Sequence, residues 1–257
     1  MKDSASPDLK LPLISIVTVV YNDVTNIENT IESVINQTYS NIDYITIDGG
    51  SSDGTVDIIN KYKHKIATII SGKDKGIYDA MNKGTDLAKG AWIIYMNSGD
   101  LFSDSTILEK IFIEKQKSLE GISVIYSDVL SKNKQIIKRL SARRLRLIWM
   151  GPPSSHQCQF VKTELAKSKP FNLNFRINAD YDFIYYTLNK GVKFLYLKEF
   201  CIAICDASEG FSKTSDSKFI LKENFIVSKQ YSSFLEQQLL VIVNTLKYLY
   251  SIVRKFK

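Results

Sequence analysis

The sequence predicts an α/β fold with a mostly parallel central sheet flanked by helices. Short apolar runs rich in β-branched residues recur at 14–22, 42–50, 66–72 and 91–95. Between them lie segments whose apolar residues fall at helical spacing. The junctions are dense in Gly, Asn, Asp and Ser, which is turn and cap chemistry. Strands alternating with helices imply βαβ units, parallel pairing and right-handed crossovers.

The elements follow in order. "ISIVTVVYN" (14–22) reads as a buried strand. Asp3 and Asp8 precede its apolar run and no small-residue cleavage site follows, so it is not read as a secretory leader. In "TNIENTIESVINQT" (25–38), Ile27, Ile31, Val34 and Ile35 share one helical face, and Thr25 with Glu28 forms a capping box. "IDYITIDGG" (42–50) is the second strand and "SSDGTVDIINKY" (51–62) the helix after it. "IATIISG" (66–72) is the third strand. The helix of 76–90 carries Ile77, Met81, Gly84 and Ala88 on one side and is expected to stop at Gly90. "AWIIY" (91–95) is the fourth strand, and "NSGD" (97–100) is the turn at its end. Three expected parts divide the chain: 1–110, 111–215 and, as a basic helical tail, 216–257.

Composition narrows the class. The chain has 257 residues, 44% apolar and 24% charged, as in ordinary globular proteins. The net charge is +7, and it is unevenly spread. Residues 131–146 hold seven Lys or Arg and no acid, and residues 218–257 hold seven against two Glu. Such patches suit phosphate-bearing substrates or acidic lipid surfaces. Aromatic residues are not interleaved with the basic run, so nucleic acid is not an expected partner. Cys158, Cys201 and Cys205 are odd in number and show no zinc spacing, which reads as buried free thiols in a reducing compartment. No stretch reaches the ~20 apolar residues of a membrane span.

The pattern places Asp48, Asp74 and Asp100 near strand ends, with Tyr21 and Asn22 at the end of the first strand. In open α/β sheets, ligands bind at the carboxyl ends of strands. A gathering of acids favours a hard cation, Mg²⁺ or Mn²⁺, shared with substrate phosphates. Neither a Gly-x-x-x-x-Gly-Lys-Ser/Thr loop nor a Gly-x-Gly-x-x-Gly turn after the first strand is present, which excludes P-loop and dinucleotide-binding readings.

In order along about residues 13–185, "ISIVTVVYN", "TIESVINQTYSNIDYITIDGGSSDGT", "SGKDKGIYDAMNKGTDLAKGAWIIYMNSGD" and "NADYDF" closely resemble the family 2 glycosyltransferases. These are bacterial inverting enzymes with the GT-A fold. The resemblance implies a donor site of Tyr21, Asn22, Asp48, Asp74, Gly76, Asn82, Asn97, Gly99 and His156, with Tyr21 against the nucleobase. It implies Asp100 as the metal ligand, Asp180 as the catalytic base, 1–110 as the donor-binding half and 111–215 as the acceptor-binding and catalytic-base half. The departures are Gly49 where the family's second Asp stands, Asn97 and Gly99 in its Asp-x-Asp turn, and Ala179 in place of Glu before Asp180. They leave a catalytically degenerate binding or scaffold protein as the alternative.

The expected reaction is transfer from a nucleoside-diphosphate sugar, UDP favoured, to a saccharide acceptor on a polyprenyl diphosphate or other lipid, in O-antigen, capsule or exopolysaccharide synthesis. "SEGFSKT" (208–214) resembles the family's mobile loop beside the active site. Residues 234–257 form an amphipathic pattern, with Leu235, Leu239, Ile242, Leu246, Leu249, Val253 and Phe256 on one face. That helix is expected on a membrane surface, at the cytoplasmic face of the inner membrane, or alternatively docked on the protein's own core or a partner.

Overall fold

The computed structural model describes residues 11–206 and 217–243. Its first half follows the predicted alternation: β1 (Ile14–Val20), α1 (Ile27–Ile35), β2 (Ile42–Asp48), α2 (Thr55–Lys61), β3 (Thr68–Ser71), α3 (Ile77–Leu87) and β4 (Trp92–Tyr95). Then come β5 (Leu101–Phe102), α4 (Ile107–Glu109) with a wider helical turn after it, β6 (Val124–Asn133) and β7 (Ile136–Leu140). The last part holds β8 (Gln159–Lys162), α5 (Thr163–Ser168), α6 (Ala179–Asn189), β9 (Phe194–Asp206) and α7 (Ser217–Tyr231), followed by helical residues 234–243.

Among the described residues one sheet runs through the molecule in the order β3-β2-β1-β4-β8-β6-β9-β5, with β7 attached to β6. β3, β2, β1 and β4 are parallel. Beyond β4 the sheet is mixed: β8 is antiparallel to both β4 and β6, β9 is parallel to β6, and β5 is antiparallel to β9. β4 and β6 therefore point the same way, and their C-terminal ends share one edge. The parallel expectation holds for the half where helices alternate with strands and not for the half where they do not.

Both sheet faces are covered, which is why every residue of β1 is buried, Ser15 and Thr18 included, rather than alternate residues facing water. Ile14, Ile16 and Val20 face one core with Ile27, Ile31 and Val34 of α1, while Val17 and Val19 face the other with Tyr78, Ala80 and Met81 of α3. The apolar spacing read from the sequence is thus the spacing that buries these residues.

Three local expectations are corrected. No capping box forms on α1, because Glu28 instead accepts from the Tyr62 hydroxyl at 3.0 Å and Thr25 turns to Asp23. Gly90 does not end α3, which stops at Leu87 with Ala88 extended. A Cβ on Gly90 would lie 2.5 Å from the Ser15 nitrogen, so glycine there lets the chain press against β1. In residues 234–243, Leu240 packs into the core while Leu235, Leu239 and Ile242 are exposed. The remainder of that pattern (244–257) and the 208–214 loop lie outside the described residues.

Candidate active site

The turn after β4 sits at the parallel half's carboxyl edge. Asp100 N–H bonds the Asn97 carbonyl at 2.9 Å, and Gly99 adopts φ +90°, a conformation that favours glycine. Thr30, fully buried on α1, braces the turn by accepting from Gly99 N–H and donating to the Asp100 carbonyl, both at 3.0 Å. Ser98 donates to Asp23 at 2.6 Å, tying the turn to the loop after β1.

These contacts hold the Asp100 side chain at 8% exposure. Its carboxylate accepts from Gln157 Nε2 at 2.6 Å. Burial pushes its pKa up to about 6, opposed by the Gln157 bond and the nearby His156. The same turn leaves Asn97 Oδ1 buried without a hydrogen-bond partner among the described residues. A buried carboxylate and an orphaned amide oxygen in one turn are hard oxygen donors. They fit a divalent cation that takes its other ligands from a substrate diphosphate. Among the described residues no group of three or more His, Cys, Asp and Glu gathers as a metal site.

Asp180 opens α6, and two side chains hold it. The Tyr78 hydroxyl of α3 shares its proton between the Ile177 carbonyl and Oδ1, the latter at 3.0 Å, and His156 Nδ1 lies 3.1 Å from Oδ2. The other imidazole nitrogen, Nε2, is 2.9 Å from Asn97 Nδ2. One continuous chain, Tyr78–Asp180–His156–Asn97, thus joins the start of α6 to the turn after β4. Burial, and then the Asp180 charge, push the Tyr78 hydroxyl's pKa well above its ordinary value, so it remains a donor. Asp182, two residues on, is buried elsewhere and engages Lys169 at 3.0 Å and the Tyr231 hydroxyl at 2.7 Å.

The other predicted donor residues divide into two groups. Tyr21 is 65% exposed beside the edge. A Cβ placed on Gly49 would lie 2.7 Å from Asp74 Oδ2 and 3.3 Å from the Tyr21 ring, so the Asp74 carboxylate stands where a side chain at position 49 would begin. Asp74 is fixed by Gly76 N–H on Oδ1 at 2.8 Å. Asn22, at φ +47°, and Asp48 instead shape the backbone. Asn22 exchanges bonds with Ser51 and Ser52, while the fully buried Asp48 carboxylate accepts from Gly50, Ser51 and Ser71. Asn82 lines the same depression as His156 and Asp180, and its amide is spent on both backbone groups of Phe171, at 3.0 and 2.8 Å. Thr30, Tyr78 and Gln157 are missing from the residues that the sequence pattern singles out. Gln157 had a signal in its position next to His156. Tyr78 had one within "GIYDAMN", whereas Thr30 is one polar residue inside a helix.

The glycosyl transferase family 2 model matches residues 15–151, more than half of the chain. The chain belongs to this family. A PGL/p-HBAD biosynthesis glycosyltransferase of Mycobacterium bovis is 29% identical over 178 residues, covering 67% of this chain and 68% of the relative. An Escherichia coli UDP-Glc:alpha-D-GlcNAc-diphosphoundecaprenol beta-1,3-glucosyltransferase, WfaP, is 37% identical over 118 residues, covering 45% of this chain and 47% of the relative. The crystal structure of S. aureus TarS 1–349 in complex with UDP superposes with a TM-score of 0.66 at 16% identity, over 88% of this chain and 68% of that one. A Pyrobaculum calidifontis mannosyltransferase in complex with GDP-Man and Mn²⁺ does so with a TM-score of 0.60 at 14% identity, over 99% and 85%. The fold is GT-A, and this family 2 member is a glycosyltransferase.

Proposed function

We propose that this glycosyltransferase inverts: it moves a sugar from a nucleoside-diphosphate donor, UDP favoured, to a saccharide carried on a lipid diphosphate, in bacterial surface polysaccharide synthesis. The observation that carries the reading is the Tyr78–Asp180–His156–Asn97 chain. It couples a carboxylate at one side of the cleft to the turn that would receive the diphosphate at the other. That is the arrangement a displacement at an anomeric carbon needs. The Escherichia coli relative, whose name gives UDP-Glc as donor and alpha-D-GlcNAc-diphosphoundecaprenol as acceptor, supports both choices.

In this mechanism Tyr21 and Asp74 receive the nucleobase, with Asp74 supplying the carboxylate that Gly49 lacks. The cation would be held by Asp100 and Asn97 Oδ1, and when bound it would neutralise charge on the leaving diphosphate. The acceptor hydroxyl attacks the face opposite the leaving group and Asp180 takes its proton, so an α-linked donor gives a β-linked product. Tyr78 and His156 fix the two carboxylate oxygens in advance, which removes the cost of orienting them in the transition state.

Asp180→Asn keeps the size and shape of the side chain, retains one of its two acceptor oxygens and removes the base. It is expected to lower turnover by roughly 10²-fold or more while donor binding, measured by calorimetry, stays within about twofold. Near-normal turnover in Asp180→Asn would sink the assignment. Contact with the cytoplasmic face of the inner membrane through the C-terminal helix belongs to the same reading. Among the described residues no helix is long and apolar enough to cross a membrane.

A further inference from the structure

β6 and β7 form a hairpin that runs past the end of β8. β6 pairs with β8 only over 124–126, then continues to Asn133, turns through Lys134 and Gln135, and returns as β7. Every residue from Lys132 to Leu140 is exposed. On its other edge β6 stays paired with β9 as far as Lys132, so the hairpin is the outer part of a three-stranded extension with β7 as its edge strand. The hairpin's root supplies further anchorage. Asp128, almost fully buried, pairs with Arg139 Nε at 2.7 Å and accepts from Ala142 N–H at 2.8 Å and the Tyr196 hydroxyl at 2.5 Å.

The tip beyond that root carries two kinds of side chain. Ile136 is 73% exposed and Ile137 53%, and Leu140 is exposed as well. Lys132, Lys134 and Lys138 surround them. Of the seven Lys and Arg in 131–146, only Arg139 has a carboxylate partner among the described residues. Lysines alone would protect an edge strand from pairing with other chains. Two bare isoleucines between them work against that purpose. Together they match a surface whose outer layer is anionic and whose interior is apolar.

The direction of the ribbon adds function. β4 and β6 point the same way, so the ribbon rises from the sheet edge that carries Asp100 and the cleft. We propose that the β6–β7 ribbon is a docking element for an anionic lipid bilayer, seating its isoleucines at the headgroup boundary and turning the cleft toward the membrane. The purpose of this docking rests on the lipid-linked acceptor reading, whereas the surface itself does not.

The test is sedimentation of the full-length protein with phosphatidylglycerol/phosphatidylcholine vesicles and with phosphatidylcholine alone, at low and high salt. UDP calorimetry serves as the control for folding. Wild type should bind the anionic vesicles and release at high salt. The triple variant Lys132→Gln, Lys134→Gln, Lys138→Gln should bind on the order of 100-fold more weakly, at about 1 kcal/mol for each lysine. Ile136→Ser with Ile137→Ser should bind on the order of tenfold more weakly. Each variant should bind UDP as wild type does. The proposal is overturned if wild type ignores anionic vesicles or if both variants bind them normally. A preference for duplex RNA over vesicles would overturn it too. If vesicles bind through the ribbon but no nucleoside diphosphate binds wild type, the donor reading fails and the docking surface stands.

Discussion

Asp100→Asn tests the buried turn directly, and its effect has a sign and a size. Asp100 titrates at about 6 in the folded chain, because burial disfavours its charged form. In the unfolded chain an Asp titrates at about 3.9. A carboxyl whose pKa is raised on folding contributes stability that is complete below the unfolded value. It loses that contribution as pH rises through the folded value. The loss over a shift of about two units is about 3 kcal/mol, accumulated between about pH 4 and pH 6 and constant above that. Asparagine is nearly isosteric, stays neutral and can still accept from Gln157. With a chelator present, Asp100→Asn should therefore be more stable than wild type by about 2–3 kcal/mol at pH 7.5 and nearly equal to it at pH 4. Urea unfolding followed by the fluorescence of the two tryptophans measures this. Adding Mn²⁺ and UDP at about 100 times the dissociation constant should then stabilise wild type by about 2.7 kcal/mol and the variant by much less. A stability difference that does not change with pH would refute the argument from burial. Equal stabilisation of both proteins by Mn²⁺ and UDP would refute the cation-binding role.

The crowding at Gly49 gives a compensation test. Asp74→Ala should weaken UDP binding by about tenfold, the worth of one charge-assisted hydrogen bond, and adding Gly49→Asp should restore most of it in calorimetry. Gly49→Ala with Asp74 retained should weaken binding as well, because the new methyl would meet Asp74 Oδ2 at 2.7 Å. In the core, a Cβ on Gly84 would lie 2.3 Å from Val17 Cγ1. Gly84→Ala should lower stability in urea by about 1–3 kcal/mol despite alanine's better helix propensity, and Val17→Ala should relieve part of that loss.

Part of this architecture is legible in the order of the amino acids. The apolar periods at 14–20, 27–34 and 77–81 become buried faces because a helix or strand in water has few other ways to hide them. Glycine is harder to interpret. Gly90 carries the sequence signature of a helix stop, yet its role depends on β1, 75 residues earlier along the chain. The capping box fails for a similar reason: Tyr62, on the far side of β2, competes for Glu28. Local rules weigh only local partners, and both residues find distant ones.

The site divides along the same line. Turn chemistry and motif order are local properties, so the family, the parallel half of the sheet and the turns that carry Asp74 and Asp100 can be read along the chain. Folding sets what each carboxylate faces. It buries Asp48 among its own turn's N–H groups and pairs Asp182 with Lys169. It puts Asp74 into the space left by Gly49, and links Asp180 through His156 to Asn97. These partners lie on different elements and meet only when the sheet assembles, and hydrogen bonds and desolvation act over a few ångströms in space, whatever the separation along the chain.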